Sequence, residues 1–174
     1  MKLSNARAVR IGLLASTILC AGLSAPIAAQ KLAALKLPLP ASLVCFSPVT
    51  DMTAEQLHAP AAGDPLLHPS WLDSARDAYC PAGLDRADPM VSPLFGQLKG
   101  LPPLLLQVGE DEVLLNDSLR LAEAARAADV AVRLERYEDL WHVFQAHAGL
   151  LHSADAALQR VVDFVNSAQA NSVS

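Results

Sequence analysis

The apolar positions of this 174-residue chain fall into short continuous runs and longer amphipathic stretches that alternate from about residue 42 onward. Ser42 to Phe46 (SLVCF) and Pro103 to Val108 are runs bounded by proline, glycine or polar turns. That is the pattern of strands buried on both faces of a parallel sheet. Val130 to Tyr137 alternates instead, with Val132 and Leu134 on one side and Arg133 and Glu135 on the other, which suits a strand nearer the sheet edge. Helical spacing lies between and after these runs. Ser70 to Tyr79 reads as a short helix started by Pro69 and Ser70, with Trp71, Leu72 and Ala75 as its apolar side. From about Asn116 to Ala128, Leu115, Leu119, Ala122 and Ala125 recur at core spacing while Arg120, Glu123 and Arg126 face water. A last helix opens at Ser153, whose hydroxyl can cap it, and buries Leu158, Val161, Val162 and Val165. Residues 52 to 101 carry much proline and little periodicity, and are expected to cover the C-terminal edge of the sheet. Strand and helix in alternation imply parallel strands joined by right-handed crossover helices, so the fold class is α/β.

The N-terminal segment admits two readings. Lys2, Arg7 and Arg10 precede an apolar run from Ile11 to Ile27, and the small residues ahead of Gln30 would suit signal peptidase cleaving after Ala29. Alternatively Val9 to Leu14 is a buried strand and Ala21 to Leu35 a helix of the same domain, stopped by the prolines of Leu37 to Pro40. The organisation expected is therefore a signal-like or degenerate strand segment over 1–30, an α/β domain over 31–167 and a polar, frayed tail over 168–174.

Composition narrows the class further. A hydrophobic content of 52% against 18% charged residues supplies a packed core and excludes a disordered chain. Thirteen basic against 18 acidic residues, net −5, leave no basic cluster to track phosphates, which argues against nucleic acid as a partner. Cys20, Cys45 and Cys80 lie far apart, so neither a disulfide framework nor a zinc site is expected. His142, His147 and His152, spaced by five, do not stack on one helix face and form no metal site.

Candidate chemistry gathers at two strand ends. The run to Val108 ends on Gly109 and delivers Asp111 and Glu112 into a turn, at the edge where open α/β sheets hold their sites. One strand-helix-strand unit later, Glu138 to His142 occupies the loop at the same end. A carboxylate there can accept the Nδ1 proton of His142, set its tautomer and leave Nε2 as a general base. Ser47 and Ser92 read as structural hydroxyls, His147 and His152 as surface residues, and Trp71, Trp141 and Phe144 as core packing or the lining of an acyl pocket.

The segments LPLPASLVCFSPVTDMT, DPLLHPSWL, DPMVSPLFGQLKGLPPLLLQVGEDEVLLNDS and WHVFQ, in that order, resemble the hormone-sensitive-lipase-like esterases, the alpha/beta hydrolase fold-3 group. The resemblance covers about the C-terminal two-thirds of the chain. It implies a partial alpha/beta-hydrolase fold that hydrolyses small carboxylic esters with serine, histidine and an acid, and uses no cofactor. On this resemblance His142 matches the catalytic histidine. Glu112 falls on the acid in the register that needs no insertion, and its neighbour Asp111 has the commoner aspartate identity.

One member is missing. The family's nucleophile lies in a Gly-x-Ser-x-Gly elbow, and neither that pentapeptide nor a His-Gly-Gly oxyanion loop occurs in the sequence. The elbow would fall near residues 15 to 20, where Ser16 or Thr17 would have bulky neighbours. The expectation is a truncated or frame-disrupted esterase of little activity, or a non-catalytic secreted remnant, with uncovered sheet edges that favour self-association. The family implies the cytoplasm; a true signal peptide would imply secretion or the periplasm.

Overall fold

A computed structural model describes residues 18–21, 24–80 and 82–173. Four strands, β1 (Ile18–Ala21), β2 (Leu43–Phe46), β3 (Leu104–Gly109) and β4 (Val132–Tyr137), form one sheet in the order β1-β2-β3-β4. Every neighbouring pair is parallel. The helices are α1 (Ser24–Ala34), α2 (Pro69–Tyr79), α3 (Leu115–Ala127) and α4 (His152–Val173). Short 3-10 turns lie at Pro93–Phe95 and Phe144–His147.

Successive strand residues point to opposite faces, and this sorts the core into two layers. Leu43, Cys45, Leu104 and Leu106 pack with Ala25 and Ala29 of α1 and with Leu121, Ala122 and Ala125 of α3. Val44, Phe46 and Leu105 pack with Val161 of α4, flanked by Leu158, Phe164 and Val165. β2 and β3 are buried at every position, as continuous apolar runs require, whereas β4, at the edge of the described sheet, is partly buried and does not alternate cleanly, because Glu135 is half-buried like Leu134 and accepts from Gln107 and Tyr137.

Several local expectations shift. The strand expected at Val9 to Leu14 lies outside the described residues; the strand that pairs with β2 is Ile18–Ala21. α1 begins at Ser24 and crosses residue 30, and its Ala25 and Ala29 are fully buried. Trp71 does not join a core: it is 65% exposed, and Arg76 is the buried residue of α2. On α3 the deepest leucine is Leu121 rather than Leu119, because Asp117 and Ser118 also turn inward. Val162 of α4 is half exposed while Ala154 and Ala157 fill the core. α4 starts at His152, so Ser153 sits inside its first turn, and the helix continues through Val173 across the expected tail.

The first part of the segment after Ser47 is held by buried side chains to the start of α3, whereas its end runs back along the sheet: Leu98 and Leu101 pack in the layer of α1 and α3, and Pro103 O accepts from Leu43 N–H at the N-terminal ends of the strands. Asp117 Oδ2 accepts from the backbone N–H groups of Thr50 (2.6 Å) and Asp51 (3.0 Å), and Asp51 pairs with Arg120 at 2.6 Å. Burial pushes the Asp51 carboxyl up, but hydrogen bonds from Thr53 and Arg120 outweigh it and hold the group below the ordinary aspartate value. Ser92 is structural, as read: its hydroxyl donates to Arg86 O and accepts from Met52 N–H.

Candidate active site

Gly109 lets the two candidate loops meet. A Cβ built on it would lie 2.1 Å from the carbonyl oxygen of Leu140, a contact no side chain tolerates. With hydrogen in its place, Leu140 O accepts from Asp111 N–H at 3.0 Å, and Tyr137 O accepts from Glu110 N–H at 2.9 Å. The turn after β3 and the loop after β4 are thereby stitched by backbone. The strand-helix-strand connection delivers both to one edge, and the glycine sets how closely they approach.

The two adjacent carboxylates then separate. Asp111 is half-buried and contributes its backbone N–H to the stitch. Glu112 is fully buried. Its Oε2 accepts from Ser47 Oγ at 2.6 Å and lies 3.9 Å from His142 Nδ1. Glu112 Oε1 and His142 Nδ1 are both buried without a hydrogen-bond partner. His142 is followed by Val143, a β-branched residue in the left-handed region (φ 50°), whose N–H donates to Ser47 Oγ at 3.1 Å. Of the residues singled out in the sequence, the structure therefore brings together Glu112 and His142. The other histidines stand apart: His147 lies edge-on to Trp141, half-buried rather than at the surface, and His152 is exposed. Phe144 is fully buried and Trp141 packs beside it, as core residues.

Electrostatics sets the protonation of the pair. Burial pushes Glu112 up to about 8, only partly offset by the Ser47 hydroxyl and the Gly109 amide, while the charges of Asp64 and Asp117 push the same way as burial. Burial also lowers His142 below its ordinary value, against a smaller opposing pull from Asp64. Burial thus favours the uncharged form of both partners, and their 3.9 Å separation is longer than a hydrogen bond. Neither a surface hollow of about 470 Å³ beside β4 nor an apolar one of about 200 Å³ against α2 is lined by Glu112 or His142. Among the described residues, no three histidine, cysteine or acidic side chains cluster as metal ligands would.

Sequence reasoning passed over two serines. Ser47 carries no motif that separates it from an ordinary turn serine, and only its contacts reveal its place. Ser24 is the first residue of α1, immediately beyond β1, in Gly22-Leu23-Ser24-Ala25-Pro26. Glycine two residues before serine was a legible signal in the sequence, but Pro26 stands where an elbow would have its second glycine. Ser16 and Thr17 lie outside the described residues.

An acid and a histidine on successive strand ends of a parallel sheet define the class: the fold and loop order are those of an α/β hydrolase. The alpha/beta hydrolase fold family model matches residues 15–146. An esterase of Acinetobacter venetianus is 38% identical over 131 residues, 74% of this chain and 43% of that protein. An acetyl-hydrolase of Streptomyces hygroscopicus is 36% identical, over 75% of this chain and 44% of its own length. Among solved structures, an esterase/lipase from an uncultured bacterium superposes with TM-score 0.79 at 36% identity, covering 84% of this chain and 49% of that one. A hormone-sensitive lipase from a metagenome library gives 0.78 at 35% identity, covering 82% and 50%. The chain belongs to the hormone-sensitive-lipase-like alpha/beta hydrolase family. It spans somewhat under half the length of these curated relatives.

Proposed function

We propose that Glu112 and His142 are the acid and histidine of a serine-dependent site for small carboxylic esters, and that Asp111 is not the acid. The observation that carries this is the placement of His142 Nδ1 3.9 Å from a fully buried Glu112 oxygen, while Asp111 contributes backbone to the join between the loops. In the reaction, a serine Oγ attacks the ester carbonyl while His142 Nε2 takes its proton. The imidazolium returns that proton to the departing alkoxide, and water repeats the cycle on the acyl-serine. Glu112 holds the imidazole and, once ionised, stabilises its charged form. Catalytic hydrogen bonds are often long before substrate binds, and here about 1 Å of closure would bring Nδ1 onto Oε2.

The chain by itself is expected to hydrolyse esters weakly or not at all. It contains no Gly-x-Ser-x-Gly, and burial pushes its acid up to about 8. Removal of a triad nucleophile leaves only the residual catalysis of the remaining site. Incubation with p-nitrophenyl butyrate and with a serine-directed fluorophosphonate tests this. The expected result is release near background and no covalent adduct. Hydrolysis abolished by H142A, or an adduct on Ser24, would overturn the claim of inactivity.

The signal-peptide reading is favoured less. Cleavage after Ala29 would remove β1 and the buried Ala25, stripping the core of its first crossover. Mass spectrometry of the expressed protein is expected to find residues 18–30 retained; a mature end at Gln30 would instead support a secreted remnant.

A further inference from the structure

We propose that Ser47 is the positioning residue of this site, a single hydroxyl that ties the acid turn to the histidine loop. The inference rests on the reading of Glu112 and His142 as acid and histidine, and adds a third strand end to it. Ser47 follows β2, where its N–H donates to Gln107 O of β3 at 2.9 Å, so its backbone is anchored by the sheet. From there Oγ donates to Glu112 Oε2 at 2.6 Å and accepts from Val143 N–H at 3.1 Å. One atom thus touches the carboxylate and the residue next to His142, and it is fully buried.

The backbone supports a role beyond a turn. Ser47 sits at φ 45°, in the left-handed region that glycine or asparagine occupies more cheaply. A strained serine kept where glycine would fit better points to its hydroxyl, and strain of this kind collects at functional sites. The chemistry also selects the residue type. The position needs one short group that donates in one direction and accepts in another, which glycine and alanine cannot do. Ser47 donates to Oε2, the oxygen that lies 3.9 Å from His142 Nδ1, while Oε1 makes no hydrogen bond, though the Gly109 amide also acts on the carboxyl. The serine therefore sets the rotation of the carboxylate, and with it the lone pair that faces His142. Asp64 and Asp117 are the other charged groups acting on Glu112, and His142 is its titratable neighbour.

The test uses the full chain and needs no turnover. Glu112 is titrated by carbon-13 carboxyl NMR, and the His142 ring nitrogens are followed by nitrogen-15 NMR, in wild type, S47G, S47A and E112Q. Glycine relieves the left-handed strain, so S47G keeps the fold even where S47A does not. Loss of a hydrogen bond to the ionised carboxylate is expected to raise the Glu112 midpoint in S47G by about one pH unit or more, with a change in the His142 signals. A purely structural turn serine predicts S47G as stable as wild type with both titrations unmoved, and that result overturns the proposal. E112Q separates the two levels. If it leaves the His142 signals unchanged, the acid–histidine pairing fails, whatever S47G does to Glu112.

Discussion

Gly109 and Leu140 approach so closely that a single added methyl group would strike the Leu140 carbonyl oxygen at 2.1 Å. This contact sets the spacing between the acid turn and the histidine loop. G109A is therefore expected to push the two loops apart, at a cost of about 1–3 kcal/mol for overpacking against backbone. Urea unfolding gives the loss of stability, and the His142 ring nitrogens report the displacement. Wild-type stability with unaltered His142 signals would show that the loops do not depend on this glycine.

The Glu112 carboxyl makes stability depend on pH in a definite direction. Its folded value is raised from 4.5 to about 8, so the folded state binds the proton more tightly than the unfolded chain. The favourable contribution is complete below about 4.5 and is lost as pH rises toward about 8. Asp117, also raised by burial, acts with the same sign. His142, lowered by burial, acts in the opposite sense, contributing above its ordinary 6.5 and losing that contribution in acid. The difference between wild type and E112Q isolates the Glu112 part: E112Q should gain on wild type between about pH 5 and pH 8. Parallel stability curves would mean that Glu112 titrates normally.

Asp117 holds the covering segment through the backbone N–H groups of Thr50 and Asp51. D117A strands both donors in a buried site, at a cost of about 1–3 kcal/mol for each unsatisfied group. The expected outcome is a loss of about 2–4 kcal/mol by denaturant unfolding, with limited proteolysis opening first between Met52 and His68. D117N, which keeps one acceptor oxygen, should lose less. Equal effects of the two variants would mean that the contacts act by packing rather than by hydrogen bonding.

Among the described residues, two strands have an unpaired edge and several apolar side chains are exposed. β1 and β4 border the described sheet, and Leu35, Leu37, Trp71 and Tyr79 are each about half exposed or more. Such features promote association. Light scattering behind size exclusion is expected to show oligomers whose mass rises with concentration, and a monomer at every concentration would contradict this. In W71S, lower mass at equal concentration would place α2 in the contact.

The fold was legible wherever burial is continuous. SLVCF and LPPLLLQV could be recognised as strands because a sheet covered on both faces makes its strands nearly continuous apolar runs. Polar residues with interior partners were harder to read. Gln107 interrupts β3 and is fully buried, because its amide donates to Glu135 Oε2 and to Ala157 O. Asp117 turns into the core for two backbone donors, which rotates the buried face of α3 toward Leu121. Trp71, by contrast, reads as core and stands in solvent, since hydrophobicity alone does not say whether anything lies opposite.

At the site, residue order along the chain was enough to bring an acid and a histidine to one sheet edge, because parallel strands with right-handed crossovers leave their C-terminal loops side by side. It also sufficed to register the absence of a Gly-x-Ser-x-Gly. Between Asp111 and Glu112 the sequence offered only the register that needs no insertion, which leans to Glu112 by a narrow margin. Adjacent side chains in a turn diverge, and burial of one rather than the other depends on Leu140 reaching over Gly109. Ser47 lies 65 residues from Glu112 and 96 from Val143, and its role exists in the folded chain alone, where the sheet brings three distant strand ends within reach of one hydroxyl.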